Sequence, residues 1–279
     1  MGLSKRLVLK YVRTKFKLLS SISKRKAAEK AFQLFCTPQS RTKKELPPVF
    51  KKSEKIEFAF QGNIVRGYRW SHPSRKKALI LHGFESSVVN FDKYVNGLIK
   101  KSYEVLAFDA PAHGKSGGKQ ITLPLYVETI KSINLKFGPI DAYLAHSFGG
   151  LAVSHFVETI RNDHLKLVLI APATETTTAI DSFFTFLHLD NGIREEFDDL
   201  IFQKGGKQAS EYSIRRAMKQ IKGKVLWIHD EEDEMTPLSD ALKLKEDHHQ
   251  HIEFMITSGF GHRRIYRENS VMKKVMEFL

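Results

Sequence analysis

Ser147 stands in Leu144-Ala145-His146-Ser147-Phe148-Gly149-Gly150, between an apolar run and a helix-forming one. Two positions away on either side lie Ala145 and Gly149. Small residues there suit a serine on a sharp strand-to-helix turn, because such a turn crowds the residues flanking it. Gly149 fits the G-x-S-x-G pattern, and Ala145 departs from it by one methyl group. A serine hydroxyl is a poor nucleophile until a base takes its proton, and that base needs an acid to orient it. His262 is the candidate base, because it follows the last strand-like run (residues 252–256) in Ser258-Gly259-Phe260-Gly261-His262. The chain has 12 histidines, and position alone sets His262 above the others. The acid must come from Asp230-Glu231-Glu232-Asp233-Glu234, which follows the strand-like Val225–His229. Asp230 is nearer the strand end and Asp233 lies further along. In chain order this gives a nucleophile, an acid and a base suited to acyl transfer.

Such residues need elements to hold them. Residues 55–60 and 64–70 read as a hairpin turning at Gln61-Gly62-Asn63. Strands are then expected near 78–82, 104–108, 141–146, 166–170, 224–229 and 252–256. Helices are expected near 91–100, 124–136, 148–160, 237–246 and 267–279. This alternation predicts an α/β fold with a mainly parallel sheet covered on both faces. No internal repeat is visible.

Four ordered motifs make the pattern specific. They are Leu81-His82-Gly83-Phe84, then Asp109-Ala110-Pro111-Ala112-His113-Gly114-Lys115-Ser116, then Ala145-His146-Ser147-Phe148-Gly149, then His229 to Pro237 with Gly261-His262. From about residue 54 to the end the chain resembles the α/β-hydrolase superfamily, and its size is similar to that of monoacylglycerol lipases and small esterases. The resemblance implies an α/β-hydrolase fold, with an eight-stranded sheet flanked by helices and a small cap inserted at 172–223. It places the acid four residues before Pro237, which favours Asp233 over Asp230. It implies an oxyanion hole from the backbone N–H groups of Phe84 and Phe148. Ala112 stands where the family commonly has a glycine, which puts the geometry of that loop in question.

The substrate-binding residues expected around such a site are Phe84, His146, Phe148, Phe183, Phe184 and Phe186. His82 and His113 are expected to brace loops. The implied activity is cleavage of a carboxylic ester or thioester through an acyl-enzyme on Ser147. A serine at this position argues against the haloalkane dehalogenases and epoxide hydrolases, which use aspartate. Peptidases and acyltransferases share the triad, and a non-catalytic scaffold on the same fold is the rival from another class. No cofactor or metal is expected. His248, His249 and His251 read as a helix end and a solvated loop rather than a metal cluster.

Composition bounds the rest. With 279 residues and 42% of them hydrophobic, the chain can fill a large α/β core. The single cysteine, Cys36, excludes an intramolecular disulfide and suits a reducing, cytoplasmic setting. No run reaches the ~20 apolar residues needed to span a bilayer. The amino terminus lacks the apolar core of a signal peptide, and Met1-Gly2 is followed by Arg6 where a myristoylation signal takes Ser or Thr.

The net charge of +14 is uneven: residues 1–55 carry +13 and residues 56–279 carry +1. Residues 1–53 therefore read as a basic amphipathic extension before a hydrolase domain at 54–279. On a helix, Arg6, Lys10, Arg13 and Lys17 share one face. Leu3, Leu7, Val8, Tyr11, Val12, Leu18, Leu19 and Ile22 cover the opposite arc, with Lys5 and Lys15 intruding. Ser23 is placed to cap a second helix that Pro38 stops, and Arg41 to Lys52 form a basic linker. Two readings stay open: the apolar face docks on the hydrolase, or residues 1–37 lie on an anionic membrane surface at the inner face. Nucleic acid is not expected, since basic charge alone is no recognition motif. Between Pro172 and Lys224, Phe183-Phe184-Thr185-Phe186-Leu187 is the richest apolar segment, and Gly205-Gly206 reads as a turn or hinge.

Overall fold

The structure, a computed structural model, describes residues 3–41 and 45–279, with side chains from Arg6 onward. Met1-Gly2, and with it the myristoylation reading, lies outside the described residues. So do residues 42–44 of the basic linker and the side chains of Leu3 and Lys5. The chain divides into two compact units. The larger comprises Pro38–Thr174 and Ser213–Leu279, and the smaller joins the amino-terminal residues through Thr37 to Glu175–Tyr212.

The larger unit holds an eight-stranded sheet of β1 (Glu54–Phe60), β2 (Asn63–Trp70), β3 (Lys76–Leu81), β4 (Tyr103–Phe108), β5 (Ala142–His146), β6 (Lys166–Ile170), β7 (Lys224–Asp230) and β8 (Ile252–Thr257). Their spatial order is β1-β2-β4-β3-β5-β6-β7-β8. β2 pairs antiparallel with β1 and β4, and every other pairing is parallel. The central strands are buried on both faces, which is why they read as unbroken apolar runs rather than alternating ones. Leu81 pairs with Ala145, His146 with Ile170, Ile170 with Ile228, and Asp230 with Thr257. The carboxyl ends of β3 and β5–β8 are therefore in step, and the loops after them open on one edge. Ligands of open α/β sheets bind there.

Helices of this unit are α3 (Pro48–Lys51), α4 (Asp92–Lys100), α5 (Leu123–Phe137), α6 (Phe148–Val157), α9 (Ile214–Met218), α10 (Leu238–Lys245), α11 (Gly261–Arg264) and α12 (Asn269–Phe278). Thr122 starts α5 by accepting the Leu125 N–H at 3.3 Å. The helix expected over 148–160 stops at Val157, because Thr159 N–H and Ile160 N–H turn onto Phe156 and Val157 carbonyls.

The smaller unit is helical: α1 (Leu3–Ile22), α2 (Lys24–Phe35), α7 (Thr176–Leu187) and α8 (Asn191–Gly205). Ala27, Ala28 and Ala31 are fully buried, and such small residues let α2 approach α8 closely. Phe197 of α8 meets the rings of Phe184 at 5.2 Å and of Phe32 and Phe35 at 5.7 Å. Ser23 caps α2 by accepting the Lys26 N–H at 3.2 Å. Asp190 caps α8 and also accepts from Ser20 Oγ and Lys24 Nζ, each at 2.8 Å. Gly205-Gly206 is the carboxyl-terminal cap of α8, with Gly206 in the left-handed region at φ 73°.

Two features of α1 go beyond what the helical wheel gives. Arg13 does not stand in solvent with Arg6, Lys10 and Lys17; its guanidinium donates to the Phe186 carbonyl at 2.6 Å. That carbonyl belongs to the last turn of α7, where helix carbonyls lack intrahelical donors. The apolar arc is also split. Leu9, Val12, Phe16 and Leu19 pack into the unit, whereas Leu7, Val8, Tyr11, Leu18 and Ile22 are exposed. Packing against α2 and α7 needs only one sector of a helix so rich in apolar residues.

Candidate functional site

Ser147 is the turn residue between β5 and α6, at φ 53° and ψ −125°. That backbone is costly for a residue with a Cβ, and surroundings that over-determine it must hold it. Ser147 N–H donates to Ile170 O at 3.2 Å, and Ala173 N–H donates to Ser147 O at 3.1 Å. The small residues have measurable reasons. A Cβ on Gly149 would lie 2.6 Å from the His82 carbonyl, and one on Gly83 would lie 2.7 Å from Ser147 Cβ. Ala145, the departure from the glycine pattern, is fully buried within β5, and the sheet accommodates its methyl.

His262 opens α11 after β8, and its Nε2 lies 2.9 Å from Ser147 Oγ. Its Nδ1 lies 2.8 Å from Asp233 Oδ2. With Nδ1–H donating to the carboxylate, Nε2 is left to accept the Ser147 hydroxyl proton. Asp233 follows β7. Its other oxygen accepts the N–H groups of Met235 at 2.9 Å and Thr236 at 2.8 Å, and Thr236 Oγ1 donates to Oδ2 at 2.8 Å. Burial pushes the Asp233 carboxyl up, but the His262 and Thr236 hydrogen bonds with the nearby imidazole outweigh it and hold it below the usual range.

Asp230 serves a different purpose. It accepts from Thr257 Oγ1 at 2.7 Å and from the N–H groups of Gly261 at 2.9 Å, Glu232 at 3.1 Å and Phe260 at 3.2 Å. It thus ties down the loop that carries His262, while Asp233 faces the imidazole. His146, beside the serine, donates Nε2–H to the His262 carbonyl at 3.0 Å. Burial, then the neighbouring His262 charge, lower His146 to about 3, so it is neutral near pH 7.

Phe148 N–H is the first of α6, and a helix leaves its first N–H groups without intrahelical acceptors. Phe84 follows Gly83, whose Cα packs on Ser147. The rings of Phe84 and Phe148 lie 6.2 Å apart in an edge arrangement, and Phe84 is 37% exposed. Phe183, Phe184 and Phe186 fall in α7 of the smaller unit. Phe184 is buried against Phe197, Phe183 packs partly beside it, and Phe186 is exposed. Ala112 takes the left-handed conformation at φ 65° that a glycine would adopt freely, with its N–H on Gly117 O at 2.7 Å. The rings of His249 and His251, between α10 and β8, lie 5.4 Å apart.

Sequence reasoning missed Thr236 and Tyr126. Thr236 braces the acid, and the Tyr126 hydroxyl donates to the His82 carbonyl at 3.0 Å. Thr236 directly precedes Pro237, a position that signals a fixed turn. Tyr126 carries no such signal, being one more apolar-facing residue of α5.

Several known proteins are similar to this chain. A family model described as serine aminopeptidase, S33, matches residues 72–191. The uncharacterized protein YqkD of Bacillus subtilis (strain 168) is 24% identical over 255 residues, covering 82% of this chain and 81% of that one. Among solved structures, the Pyrococcus furiosus esterase Pf2001 is 21% identical with a TM-score of 0.65, covering 88% of this chain and 97% of its own. The Paleococcus ferrophilus monoacylglycerol lipase is 23% identical with a TM-score of 0.56, covering 76% and 95%. The chain has the α/β-hydrolase fold.

Proposed function

We propose that this α/β-hydrolase is a serine hydrolase that cleaves carboxylic esters or thioesters through an acyl-enzyme on Ser147. The observation that carries the reading is the unbroken line from Ser147 Oγ to His262 at 2.9 Å and on to Asp233 at 2.8 Å. His262 takes the hydroxyl proton as Ser147 attacks the acyl carbon, and Asp233 stabilises the imidazolium. The N–H groups of Phe84 and Phe148 hold the oxyanion. His262 then protonates the leaving alkoxide or thiolate, and a water deprotonated by His262 releases the acid. The Phe84 and Phe148 rings give the acyl group apolar contact. The esterase and the monoacylglycerol lipase among the similar structures support the ester reading, and the serine aminopeptidase family model keeps a peptidase as the alternative.

The test is burst kinetics on p-nitrophenyl esters from acetate to laurate, with Ser147→Ala as control. A burst lost in Ser147→Ala supports the acyl-enzyme, and its chain-length profile sizes the pocket. Turnover unchanged in Ser147→Ala removes Ser147 as nucleophile. Absence of both turnover and fluorophosphonate labelling favours the scaffold.

A further inference from the structure

Helix α1 has two apolar faces, and the smaller unit uses only one. Phe16 is buried, with Leu9, Val12 and Leu19 packed beside it. On the other side Leu7 is 61% exposed, Tyr11 67%, Leu18 63% and Ile22 79%. At 3.6 residues per turn these four fall within a sector of about 60°, roughly opposite Phe16, and run for about 22 Å along the axis. Val8, 63% exposed, borders the strip, and Lys15 stands between Val8 and the strip on a long stem. Arg6, Lys10 and Lys17, all exposed, form a parallel line about a quarter turn or slightly more away. α1 contains no Asp or Glu.

Monomeric proteins rarely leave such a strip of large apolar side chains in water. The accompanying chemistry selects the occupant. A partner helix or groove would meet uncompensated like charge along one border unless it were acidic. A bilayer with anionic lipid satisfies both halves at once: acyl chains take the strip and headgroups take the cations. No helix among the described residues is long and apolar enough to cross a membrane, so the contact is one of a helix lying in the interface plane.

We propose that the outward face of α1 docks on an anionic lipid surface, with Leu7, Tyr11, Leu18 and Ile22 at the acyl boundary and Arg6, Lys10 and Lys17 on the headgroups. The proposal stands on α1 alone and does not depend on the esterase reading. It also accounts for the part of the basic excess of the first 55 residues that α1 carries, with six Lys or Arg and no acid.

The experiment is flotation of the full chain with phosphatidylcholine vesicles, with and without one-third phosphatidylserine, at low and high salt. Binding is expected only to the anionic vesicles and is expected to weaken with salt. Leu18→Glu with Ile22→Glu, and separately Lys10→Glu with Lys17→Glu, are each expected to lower binding by about tenfold or more. Far-UV circular dichroism checks that the variants fold. Leu7→Ser with Ile22→Ser gives a milder pair, expected to weaken binding to a smaller degree. Equal binding to neutral vesicles, or no binding to either, overturns the proposal. Binding unchanged in both apolar pairs overturns the apolar half. Retention on single-stranded RNA that Lys10→Glu with Lys17→Glu abolishes, without vesicle binding, replaces lipid by nucleic acid.

Discussion

His82 Nδ1 donates to the carbonyl of the adjacent Gly83 at 2.7 Å. That carbonyl shares a peptide plane with the Phe84 N–H, one of the two proposed oxyanion donors. On the far side of Phe84, the Glu85 N–H donates to His113 Nε2 at 3.0 Å. His82 Nε2 is itself fixed, accepting the Ala110 N–H at 2.9 Å, and His113 Nδ1 donates to Pro111 O at 2.9 Å. Two buried imidazoles, each with one nitrogen donating and one accepting, therefore hold both peptides that flank Phe84. Burial lowers both histidines, His113 to about 3. Neutrality is required, because each must keep one nitrogen free to accept.

The clamp predicts a kinetic signature for His82→Phe and His113→Phe. Removing an oxyanion donor outright costs about 10²–10³ in kcat. Loosening one costs less, so each variant is expected to lose roughly 10- to 100-fold in kcat with KM little changed. Steady-state kinetics on p-nitrophenyl butyrate, with circular dichroism to check folding, decides it. A rise in KM at constant kcat would assign these residues to substrate binding.

The two acids after β7 should separate cleanly. Asp233→Asn keeps the side-chain size but loses the charge proposed to stabilise the imidazolium, so kcat is expected to fall by about 10³–10⁴. Asp230→Ala leaves that pair in place and removes acceptors from the Gly261, Phe260 and Glu232 N–H groups and the Thr257 hydroxyl. Stranded donors cost about 1–3 kcal/mol each if buried, so the expected loss is first in thermal stability and only second in kcat. A larger kcat loss in Asp230→Ala than in Asp233→Asn, with both folded, would exchange their roles.

The central strands were legible because buried parallel strands leave unbroken apolar runs that alternate here with helix periodicity, and the antiparallel β1–β2 pair was legible from its turn at Gln61-Gly62-Asn63. The residues that meet at Ser147 were legible for a related reason. A strand-end loop packed this tightly restricts residue type, as the contacts of Gly83 and Gly149 show. The role of α1 was less legible. Its composition is apolar over most of its circumference, and only tertiary contact decides that Phe16 packs while Leu18 does not. The partner of Arg13 was illegible for a similar reason: nothing local announces that the last turn of α7 will offer it a carbonyl. Thr236 and Tyr126 act through single hydrogen bonds to distant residues, which periodicity does not encode.

Buried neutral histidines also set how the protein responds to acid. Burial lowers His82, His113, His146 and His229, and it takes His113 and His146 to about 3. An unfolded chain protonates a histidine near pH ~6.5. The folded state refuses that proton, so stability is full above about pH 6.5 and drains as pH falls toward the folded value. Within that window each such histidine contributes a slope of about 1.4 kcal/mol per pH unit. His113 and His146 together therefore give roughly 3 kcal/mol per pH unit, with His82 and His229 adding in the same direction. Asp230 and Asp233, both held below the ordinary carboxylate range, act lower. Their stabilisation is present above about pH 4 and is lost as pH falls through their folded values. Urea unfolding between about pH 7.5 and pH 5 is expected to show a steeply falling midpoint at nearly constant m. His113→Phe should flatten that slope by about one proton. A midpoint that stays level across this range would mean that these histidines take up protons in the folded state, and the neutral clamp around Phe84 would fail with it.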